Sequence, residues 1–247
     1  MINNCINFVN KWFENTIGKA STRPILDECI VATFVFAKKY TLALFTLLEN
    51  DHILPAKAII RILAELFIKL AYCIDVENEN SNDEEIINKI KRWGYHSEKE
   101  RLKGLQKCLR ASDEKEEQEC IRKYIKEKED FLKQFPQSIV NDRFPRTIDL
   151  FNKEIIKGIN SINGHLLYIY NYLQYNNAIH LDMYSIGNII KRGENQTFIC
   201  YDTLDNKNDI AKNGLFQFFF FNLLIRKYYK QDVDTMIEEY HDIIKIS

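Results

Sequence analysis

The chain has 247 residues, 46% of them apolar and 28% charged, with 34 Lys and Arg against 35 Asp and Glu. A balance of this kind excludes a disordered tail, a disulfide-stapled mini-domain and a collagenous repeat. It leaves a chain long enough to bury a sizeable core. The net charge of -1 gives no global attraction to nucleic acid or to acidic membrane, so any such binding has to come from a local patch. Eight Gly and four Pro are few for this length, which leaves little turn chemistry for a many-stranded sheet and predicts an all-α fold.

A first helix is predicted over residues 3–17, stopping near Gly18. Its start, MINNCINFVNKWFEN, has no cationic opening leading into an apolar run and does not read as a signal peptide. A second helix opens at Thr22 or Arg23, with Pro24 in its first turn, and runs to about Glu49. Asn50, Asp51 and His52 form a short polar turn, and Pro55 starts a third helix through Ile74. So short a link predicts that the second and third helices form an antiparallel hairpin.

Neither of these two apolar stretches is free of charge. Residues 25–48 hold Asp27, Glu28, Lys38 and Lys39, and 53–74 hold Lys57, Arg61, Glu65 and Lys69, so no membrane span is expected. The expectation is a cytoplasmic protein with no membrane partner. The six Cys (Cys5, Cys29, Cys73, Cys108, Cys120, Cys200) show no CxxC and no zinc-ligand spacing. They read as reduced, individually buried thiols, and no metal or cofactor is expected.

From Asp75 to Asp130 the composition shifts to 16 acidic and 13 basic residues, with Ile86, Ile90, Trp93, Leu102, Leu105 and Leu109 at helical spacing. These are amphipathic helices with solvated outer faces, and residues 75–145 read as a charged helical insertion in a single domain spanning 1–247. Helical periodicity resumes near Ile148 and is strong from Leu166 to Ile190. Residues 192–208, around TFICY, predict a loop or a small β-hairpin near 196–203. A Phe-rich helix at 210–229, buried on most faces, and an amphipathic helix at 233–244 close the chain.

No Gly-rich phosphate loop, HExxH, GxSxG or acidic metal loop is present. Chemistry is therefore sought among polar residues inside apolar helices. In LPAKAIIRILAELFIKLAYCI the charged residues Lys57, Arg61, Glu65 and Lys69 recur every four positions, a stripe along one side of the helix. One reading is a solvent-facing stripe on a core helix. The other is that Arg61 faces a groove, oriented by Glu65, where its guanidinium binds phosphate. In HLLYIYNYLQYNNAIHLDMYSIGNII, Asn176, Tyr184 and Gly187 lie within about 40° of His180 and Asn177 within about 60°. A His on a helix face is often purely structural. The other histidines, His52, His96, His165 and His241, read as surface residues.

The strings IIRILAELFIKLAYCI and YNYLQYNNAIHLDMY resemble the two signatures of an uncharacterised bacterial helical family, a domain of unknown function. The resemblance covers roughly 30–75 and 160–228, with the charged insertion unmatched. It implies Arg61, Glu65 and His180 as a characteristic trio, with Asn176 where a Ser is more usual. More distantly, the layout resembles the HEPN superfamily (higher eukaryotes and prokaryotes nucleotide-binding). Those proteins are helical bundles, commonly dimeric, and many are metal-independent ribonucleases of toxin and antiphage systems. Their usual motif is an Arg followed, after four to six residues, by His. Here Tyr175, Gln174 and Leu173 stand at those places, and the close pair Arg92 and His96 has three residues between. A nuclease site would need its Arg from another helix, and Arg61 is the candidate.

The resemblance implies an HEPN-like bundle acting as a metal-independent ribonuclease or toxin-like effector in a bacterial antiphage or toxin–antitoxin system. RNA, a cognate defence-system or antitoxin protein and a second copy of the chain are the implied partners. His180 would transfer protons, Arg61 clamp the phosphate and Glu65 orient it. Asn176, Asn177, Tyr184 and Lys57 would bind substrate. The competing expectation is a non-catalytic module binding a partner or a nucleotide, with Arg61, Glu65 and His180 as a structural polar network.

Overall fold

The computed structural model describes residues 1–18, 26–74, 82–151, 190–192, 197–199 and 206–246. The described residues are overwhelmingly helical, so the fold is all-α. They divide into two compact units, one of residues Met1–Asn80 with Thr147–Ser247 and the other of Ser81–Arg146.

In the first unit, α1 spans Ile2–Ile17, α2 Leu26–Glu49 and α3 Ile53–Ile74. Helix α3 begins two residues before the expected Pro55, which sits in its first turn where a missing N–H is harmless. Helices α2 and α3 pack as the expected hairpin. The turn between them works because Asp51 adopts a left-handed conformation at φ 63°, and His52 N–H then reaches back to Leu47 O at 2.8 Å.

The centre of this unit is the Phe-rich helix, here α8. Its neighbours in sequence order are α7 (Thr147–Phe151), the strands β1 (Ile190–Arg192) and β2 (Thr197–Ile199), and, after it, α9 (Asp234–Ile246); α8 itself covers Lys207–Tyr228. Helices α1, α2 and α3 all pack on α8. Phe218 stacks on Phe34 of α2 with centroids 5.5 Å apart, Phe221 meets Phe67 of α3 edge-on at 5.4 Å, and Phe219 packs against Trp12 and Tyr240. Gly214 lets α8 approach α2 closely, since a Cβ there would lie 2.8 Å from Leu44 Cδ2.

Helix α2 is long and apolar enough by composition to cross a membrane, although its five charged residues argue against a span. Core helices pass the same test, and α2 places Ile30, Phe34, Leu44, Phe45 and Leu48 in this core.

Strands β1 and β2 pair antiparallel with Ile190 opposite Ile199 and Arg192 opposite Thr197. The hairpin thus starts six residues before the position expected for it, because residues 190–192, whose pattern reads as a helix end, supply its first strand.

The C-terminus of α8 is closed by the hydrogen-bond pattern of a left-handed cap, with Gln231 N–H to Arg226 O at 2.8 Å and Lys230 at φ 54°. A non-glycine residue there is strained. Lys230 is exposed, and Lys230→Gly is expected to raise the melting temperature by about 2–3 °C, from roughly 0.5–1 kcal/mol of relieved strain. Differential scanning calorimetry checks this, and an unchanged or lower value would refute it.

In the second unit, α4 spans Asp83–Ala111, α5 Lys115–Leu132 and α6 Gln137–Val140. Asn82 caps α4 by accepting Glu85 N–H at 2.8 Å, and Asp83, Glu84 and Glu85 complement the positive end of the helix. Helix α5 folds back on α4, tied by Lys128 to Glu98 at 2.6 Å. The core here is thin: Ile86, Tyr95, Ile121, Ile139 and Phe144 are buried.

The expectation of individually buried cysteines is corrected in part. Cys5 and Cys73 are buried, but Cys29, Cys108 and Cys120 are exposed, all five as free thiols. Cys108 and Cys120 lie on helices whose only buried faces are narrow, so their positions fall on the solvated side. Cys200 lies outside the described residues.

Candidate functional site

Helix α3 buries Ile60, Leu63, Ala64, Phe67, Ile68 and Ala71, and the four-residue spacing of its charges keeps them on the other flank. Arg61 Nη1 lies 3.3 Å from Glu65 Oε2, and Lys69 Nζ donates to Glu65 Oε1 at 2.5 Å. Each carboxylate oxygen thus meets its own cation. Thr147, at the start of α7, adds a long hydroxyl contact to Oε1 at 3.4 Å. The side chains of Arg61, Glu65 and Lys69 are 17%, 25% and 20% exposed, so the ladder lies at a rim, neither sealed nor fully in water. Lys57, one turn before Arg61, is likewise half-buried.

The pairing of Arg61 with Glu65 agrees with the expectation from spacing. Sequence reasoning gives Lys69 no partner, although Glu preceding Lys by four residues is the favoured orientation on a helix. Thr147 carries no sequence signal at all, being 82 residues from Glu65 in the chain. What the arrangement offers chemically is a guanidinium held at a partly hydrated rim by a carboxylate that a lysine partly neutralises. Such a group can accept a phosphate bidentately.

His180, Asn176, Asn177 and Tyr184 lie outside the described residues, and so does His165. Of the remaining histidines, His52 and His241 are exposed as expected, and His96 is half-buried. Among the described residues, no group of three or more His, Cys, Asp and Glu side chains is placed to hold a metal ion.

A model for a family of unknown function, DUF5677, matches residues 27–197. The chain belongs to this DUF5677 family. No curated protein matches it, and no solved structure does. The DUF5677 match takes in α2, α3, the whole second unit and the stretch that carries His180. The resemblance read from the sequence leaves 75–145 unmatched and runs on to 228, whereas the DUF5677 region spans the former and stops at 197. Helices α1, α8 and α9 lie outside the DUF5677 match, although α8 supplies the core on which the apolar face of α3 packs.

A second polar cluster in the first unit has only a partial sequence signal. Asn222 and Arg226 stand out in the Phe-rich string, yet the string alone gives neither a role. Arg226 Nε donates to Thr16 Oγ1 at 3.0 Å and Nη1 to Asp232 O at 3.0 Å, while Thr16 Oγ1 donates to Asn222 Oδ1 at 3.0 Å. Thr16 and Asn222 are fully buried and Arg226 is 8% exposed. This network ties the end of α1 to α8 and to the turn before α9, which is a structural task.

Proposed function

We propose that this DUF5677 chain is a metal-independent ribonuclease, or a toxin-like effector, of a bacterial antiphage or toxin–antitoxin system, built on an HEPN-like bundle and working in the cytoplasm as a homodimer. The observation that carries the reading is the rim position of Arg61 between Lys57 and the Glu65–Lys69 pair. RNA cleavage through the 2′-hydroxyl needs a proton acceptor, a proton donor for the leaving oxygen and a cation for the charge that develops on the phosphorane. In this reading His180 moves the proton, an imidazole being suited to that near neutral pH. Arg61 stabilises the phosphorane charge, Glu65 orients Arg61, Lys57 adds attraction for the strand, and Asn176, Asn177 and Tyr184 position the nucleotide.

The test is cleavage of a labelled single-stranded RNA by purified protein with and without EDTA, with His180→Ala alongside. Cleavage that survives EDTA and falls at least about 10²-fold in His180→Ala supports the reading. Cleavage that persists unchanged in His180→Ala removes it, and a wild-type protein without nuclease activity leaves the partner-binding module as the better account.

A further inference from the structure

Most of the basic residues of helix α4 fall in one line, with Lys91 and Arg101 on other faces. Taking Arg92 as reference, His96, Lys99, Lys103, Lys107 and Arg110 all fall within a sector of about 80° on a regular helix, over a length of about 27 Å. Two acids lie in this stretch. Glu100 sits at the edge of the stripe and is bound by Lys103 at 2.6 Å, and Glu98 points well away from it, held by Arg101 and Lys128. Lys103, Lys107 and Arg110 are exposed and Lys99 is half-exposed, its ammonium 5.5 Å from the centroid of the Tyr95 ring; among the described residues none of Lys99, Lys107 and Arg110 forms an ion pair.

A further cation joins from another segment. Asp142 pairs with Arg92, and Phe144 stacks on Trp93 with centroids 6.4 Å apart, which brings the exposed Arg143 between them to the same end of the stripe. Partial burial, and then the charges of Lys99 and Arg143, hold the His96 imidazole below its ordinary range, with Lys103 acting in the same direction and Glu100 opposing. Positive charge is therefore concentrated along this face of a unit whose total charge is nearly balanced, with 16 Lys and Arg against 14 Asp and Glu over Ser81–Arg146.

We propose that this face of α4, with Arg143, is a docking site for single-stranded nucleic acid, gripped through successive phosphates. The stripe is straight, its cations from Lys99 to Arg110 recur every three or four residues, and no apolar side chain lies on it between Arg92 and Arg110. A folded protein partner would call for buried aromatic or aliphatic anchors at the centre of the contact. A regularly charged strand calls only for a row of cations. The site lies wholly in the second unit and does not depend on the reading of Arg61 and His180.

The experiment is fluorescence anisotropy of a labelled 15-nucleotide DNA and of the matching 2′-O-methyl RNA, neither of which is open to cleavage through a 2′-hydroxyl, titrated at several salt concentrations. Wild type is expected to bind both, with log affinity falling linearly in log salt. The triple variant Lys99→Ala/Lys107→Ala/Arg110→Ala is expected to bind at least about tenfold more weakly at low salt, with a slope shallower by about 2, at roughly 0.7 for each phosphate no longer neutralised. A control removing the same charge elsewhere, Lys91→Ala/Lys123→Ala/Lys126→Ala, is expected to bind as wild type does. Circular dichroism confirms the fold of both, all six positions being at least partly exposed. The proposal fails if wild type does not bind at low salt, if the two triple variants lose affinity equally, or if polyglutamate of matched charge competes as well as the oligonucleotides, which would point to an acidic peptide. A wild-type protein that binds both oligonucleotides but does not cleave unmodified RNA would count against the nuclease reading alone.

Discussion

Trp12→Ala is expected to lower the melting temperature by roughly 10 °C, from a loss of about 3–5 kcal/mol. The side chain is 1% exposed and lies among Phe8, Phe219 and Tyr240, with ring centroids 5.6, 5.9 and 6.3 Å away. Truncation would open a cavity that these rings cannot fill, because α1, α8 and α9 each hold one wall. The indole is also the donor to Glu239 Oε2 at 2.8 Å, and Lys11 holds the other oxygen at 2.8 Å. Burial pushes the Glu239 carboxyl up, but the hydrogen bonds from Lys11 and Trp12 outweigh it and hold the group below its usual range. A carboxyl whose folded value is depressed contributes stability that is present above its unfolded value near 4.5 and is lost as the pH falls through the folded one. Trp12→Phe keeps most of the packing and removes one of those bonds. It should cost about 1–2 kcal/mol at neutral pH and flatten the loss of stability below about pH 4.5. Thermal melts at pH 7 and pH 4 decide the matter: equal melting temperatures for wild type and Trp12→Ala would show that this cluster does not hold α1 to the rest.

The helices that are plain in the sequence are those whose burial shows in composition. The string LFQFFFFNLLI has no polar face, so α8 has to be surrounded, and α1, α2 and α3 pack on it. The α2–α3 hairpin follows from a link too short for anything else. Charge patterning marks residues 75–145, close to the compact unit Ser81–Arg146. What is not legible depends on groups distant in the chain meeting in space. Thr147 reaches Glu65 and Arg226 reaches Thr16 through the packing of whole helices, which no local period encodes. The hairpin register slips because Ile190–Arg192 reads equally well as a helix end, and pairing with Thr197–Ile199 settles it. The exposed cysteines escape a sequence reading because the general burial of free Cys does not carry over to helices with little core to bury them in. In the ladder, spacing places Arg61 beside Glu65, but only the fold shows that the pair sits at a partly hydrated rim.

That rim position sets up the second large expected effect. Arg61→Ala is expected to reduce RNA cleavage by about 10²–10³-fold, the range seen when one preorganised donor to a developing oxyanion is removed. Stability should hardly change. With the guanidinium gone, Glu65 still accepts from Lys69 and retains Thr147, so no buried charge is left without a partner, and the cost should be about 1 kcal/mol, or roughly 2–4 °C. Arg61→Lys keeps the charge but not the planar fork, and its cleavage should stay well below wild type. Glu65→Gln keeps the shape of the carboxylate and removes its charge, so Arg61 is held less firmly. As a positioning residue, Glu65 should show its loss in kcat, by about tenfold, with KM little moved. The structural account of the same residues predicts the reverse pattern. If Arg61 and Glu65 form a network that fixes helix register, Arg61→Ala should cost about 3–5 kcal/mol and lower the melting temperature by roughly 10 °C or more, and any change in cleavage should follow the fraction of folded protein. Melting temperature and kcat measured on the same three variants therefore separate the two accounts, because a clamp loses rate at constant stability and a structural network loses both together.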